Sequence, residues 1–182
     1  MITVFMLVGL GLQGVSIHMV PLMKSRGLSA PLAAATQSYM FLAVVAGRLT
    51  SGWLLDKIFA ARIAQAFLIA PIIGISALLF GVSGILGAAA AMCVGLAIGG
   101  EADVIAYLVK RHFGIKYYSR IYGTFFSAFG VAAAIAPWAT AWGLEQFAGG
   151  YGTVLWAHVT LLILAFIVLF GFQPYPDRAA GH

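Results

Sequence analysis

The chain has 182 residues, 63% of them hydrophobic and only 8% charged, with a mean hydropathy of +1.03. Soluble domains carry about a quarter charged residues, so this composition excludes a water-solvated globule and makes lipid the solvent for most side chains. The net charge of +5 does not signal nucleic-acid binding, because the basic residues fall between apolar runs and form no stripe interleaved with exposed aromatics.

A helical span needs about 20 apolar residues at about 1.5 Å rise each. The first qualifying run covers 2–23. It has no basic n-region and no small-residue cleavage site, so it reads as a retained span rather than a signal peptide. Its polar residues are Gln13, Ser16 and His18. Gln13 and His18 stand about 140° apart on a helix and do not form one site. His18 is a candidate for titration or for binding an anion.

The second run, 30–55, carries Gln37, Phe41, Val44 and Arg48 along one helical stripe, a candidate pathway lining. The third, 63–82, contains Gly74-Ile75-Ser76-Ala77. With His158 as a base, that is the seed of a remote alternative, an intramembrane serine protease. The fourth, 85–109, holds Cys93, the pair Gly95 and Gly99, then Glu101, Asp103 and Tyr107. One cysteine excludes an intrachain disulfide and a multi-cysteine metal site, and no metal or cofactor is expected. Gly95 and Gly99 form a GxxxG, which reads as close helix packing.

The fifth run covers 121–144 and the sixth 151–172, where His158 reads as structural; residues 176–182 form a polar tail. Pro21, Pro71 and Pro137 lie inside spans and are candidate kinks. Runs this long, without alternation, exclude a β-barrel. The fold expected is all-α and integral to the membrane, with six transmembrane helices. Six would suit two three-helix repeats.

Lys57, Arg62, Lys110, Arg111, Lys116, Arg120 and Arg178 fall on one side of the membrane, and only Lys24 and Arg26 on the other. The positive-inside rule makes the first side cytoplasmic, with both termini there.

Formal charge inside the spans is confined to Arg48, Glu101 and Asp103. Arg48 lies eight residues before Asp56, and Glu101 nine before Lys110, so both sit about 12–13 Å from the same membrane face. A guanidinium at that depth needs an anionic partner, either a carboxylate or a substrate anion. Glu101 is the partner expected from depth. Asp103 is about 200° around the same helix, so only one acid faces Arg48 squarely. The other needs a different donor or a proton, which makes protons a candidate coupling ion. Tyr107, at i+4, is a local partner for Asp103.

The segment Gly47-Arg48-Leu49-Thr50-Ser51-Gly52-Trp53-Leu54-Leu55-Asp56-Lys57 resembles the signature between two adjacent helices of the major facilitator superfamily. Gly52, Asp56, Lys57 and Arg62 match it, while Phe59 stands near a usual glycine. Three further stretches resemble bacterial relatives of the monocarboxylate transporters and oxalate/formate antiporters. They are His18-Met19-Val20-Pro21-Leu22, then Gly99-Gly100-Glu101-Ala102-Asp103 with Tyr107-Leu108, and Arg111-His112-Phe113-Gly114 leading to Ile121-Tyr122-Gly123. The resemblance implies the C-terminal half of a twelve-helix carrier in a bacterial inner membrane. It also implies a small organic anion as solute, an intramembrane arginine at Arg48 facing it, and a second six-helix half, either an N-terminal half or another copy, as partner. A six-helix subunit that transports nothing is the alternative.

Overall fold

The computed structural model describes residues 1–171 and is entirely helical there. The six helices are α1 (Ile2–Ser25), α2 (Ala30–Leu55), α3 (Ala60–Leu79), α4 (Gly84–Phe113), α5 (Tyr118–Gln146) and α6 (Tyr151–Phe170). Each is long and apolar enough to cross a membrane. The chain is a multi-pass membrane protein. The expected tail at 176–182, Arg178 and the last residue of the sixth run lie outside the described residues.

Local chemistry sets the helix ends. Pro31 enters the first turn of α2, where a missing N–H costs nothing. The turn after α4 passes through Gly114 at φ 76°, a conformation that penalises a Cβ. α4 runs past its apolar stretch to take in Lys110, Arg111 and His112, because cations suit the negative end of a helix dipole and their stems can reach toward headgroups. α3 starts at Ala60 and stops at Leu79, three residues earlier at both ends than the hydropathy run. Its exit turn uses Gly81 at φ 81°. The helices continue through Pro21, Pro71 and Pro137.

The packing has an internal symmetry. α2 lies against α4 as α5 lies against α1; α3 lies against α4 as α6 lies against α1; and α3 and α6 touch each other. Exchanging α1–α3 for α4–α6 therefore maps the contacts onto themselves, as expected of two three-helix repeats. Burial follows the same exchange: α1 and α4 are the most enclosed helices, while α2 and α5 are the least.

Glycine brings the α2 and α4 backbones together. A Cβ on Gly47 would run into the Leu96 carbonyl, one on Gly95 into the Met40 carbonyl, and one on Gly99 into the Val44 carbonyl. In lipid, where no hydrophobic force pushes helices together, such close approach gives dispersion contact a large share of the association energy. One apolar core runs along α1, α3, α4 and α6 through Leu12, Met19, Ile75, Val94 and Leu162. A second gathers Phe5, Leu55, Ile63, Ile105 and Phe125 at the basic end, which carries Lys57, Arg62, Lys110, Lys116 and Arg120.

At the opposite end Arg26 does more than carry topological charge. Its guanidinium donates to the carbonyls of Leu78 and Val82. It thereby ties the end of α1 to the α3–α4 turn, adding a charged donor to carbonyls around the end of α3.

Candidate functional site

The α2–α4 contact decides which polar groups meet. Gly99 faces α2, beside the Val44 carbonyl and the Arg48 amide. Asp103 is four residues on, about 40° away and on the same face; Glu101 is two residues on, about 200° away and on the opposite face. Asp103 therefore turns toward α2. Its Oδ2 accepts a hydrogen bond from Ser51 Oγ at 2.8 Å. Ser51 is fully buried and also lies 3.0 Å from the Arg48 carbonyl, so its single proton serves one acceptor at a time.

The expected pairing of Arg48 with Glu101 is not formed. Arg48 lies exposed on α2, with no salt bridge to a carboxylate among the described residues. Glu101 faces away from it, into a cavity between α1, α3, α4 and α6, and its Oε1 has no hydrogen-bond partner. Equal depth in the membrane is a one-dimensional measure. The rotation of α4, set by its glycine face, overrides it. Tyr107 is likewise not the partner of Asp103. Its ring lies under the Arg111 guanidinium, 5.5 Å from centroid to Cζ.

Two residues not singled out from the sequence join this site. Ser51 is one. The other is Tyr122 on α5, close enough to both Asp103 and Arg48 to interact electrostatically with each. Its ring stacks between Tyr118 and Phe126, at 5.6 Å from each, forming an aromatic ladder near these two charged residues. The i, i+4, i+8 spacing of Tyr118, Tyr122 and Phe126 is visible in the sequence, but its proximity to Arg48 is not. The register Gly95, Gly99, Asp103, all four apart, is the signal that could have identified the α2-facing acid.

The remaining candidates lie elsewhere. Gln37 is partly buried, and its Oε1 is enclosed without a partner. His18 Nδ1–H donates to the Gly14 carbonyl, 3.0 Å away. It lines a small cavity with Thr140, Tyr151 and His158, in the half of the bundle opposite Arg48. His158 Nε2 lies 3.0 Å from Thr140 Oγ1. That contact supplies its hydrogen-bond partner and leaves the Ser76 reading without support.

In the motif after Arg48, Lys57 Nζ stands 3.7 Å from the Trp53 ring centroid. Asp56 and Arg62 are exposed at the α2–α3 corner. A Cβ on Gly52 would meet nothing within 4 Å. Among the described residues, no group of three or more metal-binding side chains converges.

Six helices long and apolar enough to cross a membrane, packed as a pseudo-symmetric pair of triplets, define a polytopic α-helical membrane unit. No protein-family model matches the chain. Over 102 residues the chain is 31% identical to the uncharacterised MFS-type transporter YhjX of Escherichia coli (strain K12). The match covers 56% of this chain and 25% of that protein, so it reaches well under two thirds of the relative's length.

Proposed function

We propose that the chain is one six-helix half of a major-facilitator-type secondary carrier that moves a small organic anion, such as a monocarboxylate, by alternating access. The observation that carries this reading is Arg48: a permanent cation within a membrane helix, on an open face, beside Tyr122, and unpaired with a carboxylate. A guanidinium in that setting is costly unless an anion meets it, and its planar fork suits a carboxylate. The likeness to an MFS-type transporter supports transport as the general activity.

The open faces of α2 and α5 support a second six-helix half as partner. They present large apolar side chains such as Leu49 and Trp53 on α2 and Trp138 on α5, and Arg48 and Tyr122 border the same side. Whether the second half is an N-terminal half or another copy, it closes the solute site between the two. The basic loops favour a bacterial inner membrane with both termini in the cytoplasm.

The test is solute uptake by the protein as the cell makes it, reconstituted in lipid vesicles. Arg48→Ala is expected to abolish anion uptake, and Arg48→Lys to lower it strongly because the fork is lost. Undiminished uptake by a well-folded Arg48→Ala protein rejects the reading.

A further inference from the structure

α2 and α4 touch backbone to backbone at Gly47, Gly95 and Gly99, but toward the end that carries Lys24 and Arg26 a groove opens between them. Its volume is about 580 Å³, within the range of about 300–1,000 Å³ typical of ligand sites. It is lined by the large side chains of Leu32 and Tyr39 from α2 and of Ile85 and Met92 from α4, and by the small ones of Ala35 and Ala88. On α2, Leu32, Ala35 and Tyr39 stand about 140–180° round the helix from Arg48, so the groove opens away from that residue. No charged side chain lines it. The Thr36 hydroxyl on its wall is already held by the Leu32 carbonyl at 3.1 Å. That leaves the hydroxyl of half-exposed Tyr39 as the polar group available to an occupant. Side chains on a helix lean toward its N-terminus, which on α2 is the Lys24 end.

At that end the groove meets the α1–α2 turn through Leu28. Lys24 is exposed in the last turn of α1, and Arg26 is bound to the Leu78 and Val82 carbonyls. The chain has no acidic residue before Asp56 or between Lys57 and Gly100, so the charge at this corner is positive.

We propose that this groove binds one anionic phospholipid, with an acyl chain between α2 and α4, an ester carbonyl accepting from the Tyr39 hydroxyl, and the phosphate beside Lys24. Lipid is the occupant the setting supplies: both walls are helices long and apolar enough to cross a membrane, and hydrocarbon meets them without needing polar partners. An apolar wall does not by itself distinguish one lipid from another, because acyl chains are as apolar as leucine. The shape of the groove supplies dispersion contact, and the positive corner supplies the choice of headgroup, as basic clusters at helix ends do in general. The site needs only the six-helix packing and is independent of what the chain transports.

The test is photo-labelling of the protein as the cell makes it, reconstituted in vesicles that contain a trace of phosphatidylglycerol with a diazirine on one acyl chain. The expected result is saturable labelling, up to one lipid per chain, mapped by mass spectrometry to residues 28–39 and 84–92. Lys24→Gln should lower it about fivefold, the worth of one basic residue at an anionic headgroup. It should leave labelling by a phosphatidylcholine probe with the same chains, weaker from the start, unchanged. Tyr39→Phe should lower labelling by either probe a few-fold through loss of one hydrogen bond. Ala88→Phe puts a ring into the groove and should abolish saturable labelling. Lys24→Gln and Tyr39→Phe keep the groove's shape, so they read the site even where the added ring prevents folding. Labelling spread evenly over the six helices, or equal labelling by both probes, overturns the proposal. So does a wild-type signal that Lys24→Gln and Tyr39→Phe leave unchanged. Absence of label from both segments also overturns it, and leaves the groove to be covered by protein.

Discussion

Ser51 on α2 and Asp103 on α4 are joined by a hydrogen bond of 2.8 Å, one turn beyond the point where Gly99 lets the two backbones touch. Close packing comes first in this relationship, and the polar contact follows from it. Without glycine at 99, the helices would stand too far apart for a short serine side chain to reach a short aspartate.

That ordering predicts unequal losses. Ser51→Ala removes one hydrogen bond, worth about 0.5–1.5 kcal/mol, and should lower the unfolding midpoint in mild detergent only slightly. Solute uptake should fall more than stability, because Asp103 is then free to turn toward Arg48. Equal, large losses in both would show that the contact serves the fold alone.

Gly99→Leu and Gly95→Leu should be far more damaging. The added side chains run into the Val44 and Met40 carbonyls, and backbone cannot yield as a flexible side chain does. Overpacking of this kind costs about 1–3 kcal/mol or more. Gel filtration should show most of the protein aggregated on extraction, whereas wild-type elution would contradict the α2–α4 geometry.

Gly52 provides the contrast. A Cβ there meets nothing, and alanine is the better helix former by about 1 kcal/mol. Gly52→Ala should leave the stability of this unit unchanged or slightly raised. If uptake is nevertheless lost, position 52 lies where the second half approaches. Unchanged uptake would show that the motif glycine has no steric role here.

Arg26→Ala removes both guanidinium contacts to the Leu78 and Val82 carbonyls. Charge-assisted bonds contribute about 1.5–3 kcal/mol each, so unfolding by denaturing detergent should begin at lower concentration. Arg26→Lys should recover little, since an ammonium lacks the two spaced nitrogens with which the planar guanidinium meets the two carbonyls. Full recovery by lysine would mean that only the charge matters.

Thr140→Val tests the buried contact to His158 at 3.0 Å. It should cost about 1 kcal/mol without altering uptake, because the pair lies in the half of the bundle away from Arg48. A double-mutant cycle with His158→Phe measures the coupling directly; strict additivity would show that the two side chains do not interact.

The number and type of the helices were legible because the bilayer imposes a length and a polarity that few sequences meet by chance. The positions of Arg48, Glu101 and Asp103 along their helices were legible too, from the rise per residue. Depth misled where it stood in for contact: Arg48 and Glu101 share a level yet point to different neighbours. The internal symmetry was only suggested by six spans, and it emerged once α2 was seen against α4 as α5 is against α1.

The sequence alone determined that this chain spans the membrane six times, where its charges fall along each helix, and which end is basic, because hydropathy and rise are properties of a single helix in lipid. Only the tertiary structure decided that Asp103 meets Ser51, that Tyr122 joins Arg48, and that Glu101 is left facing an apolar cavity. Those outcomes depend on how far each helix is turned about its own axis. That angle is set by where two surfaces fit, here at Gly47, Gly95 and Gly99, and no helix specifies it without its neighbour.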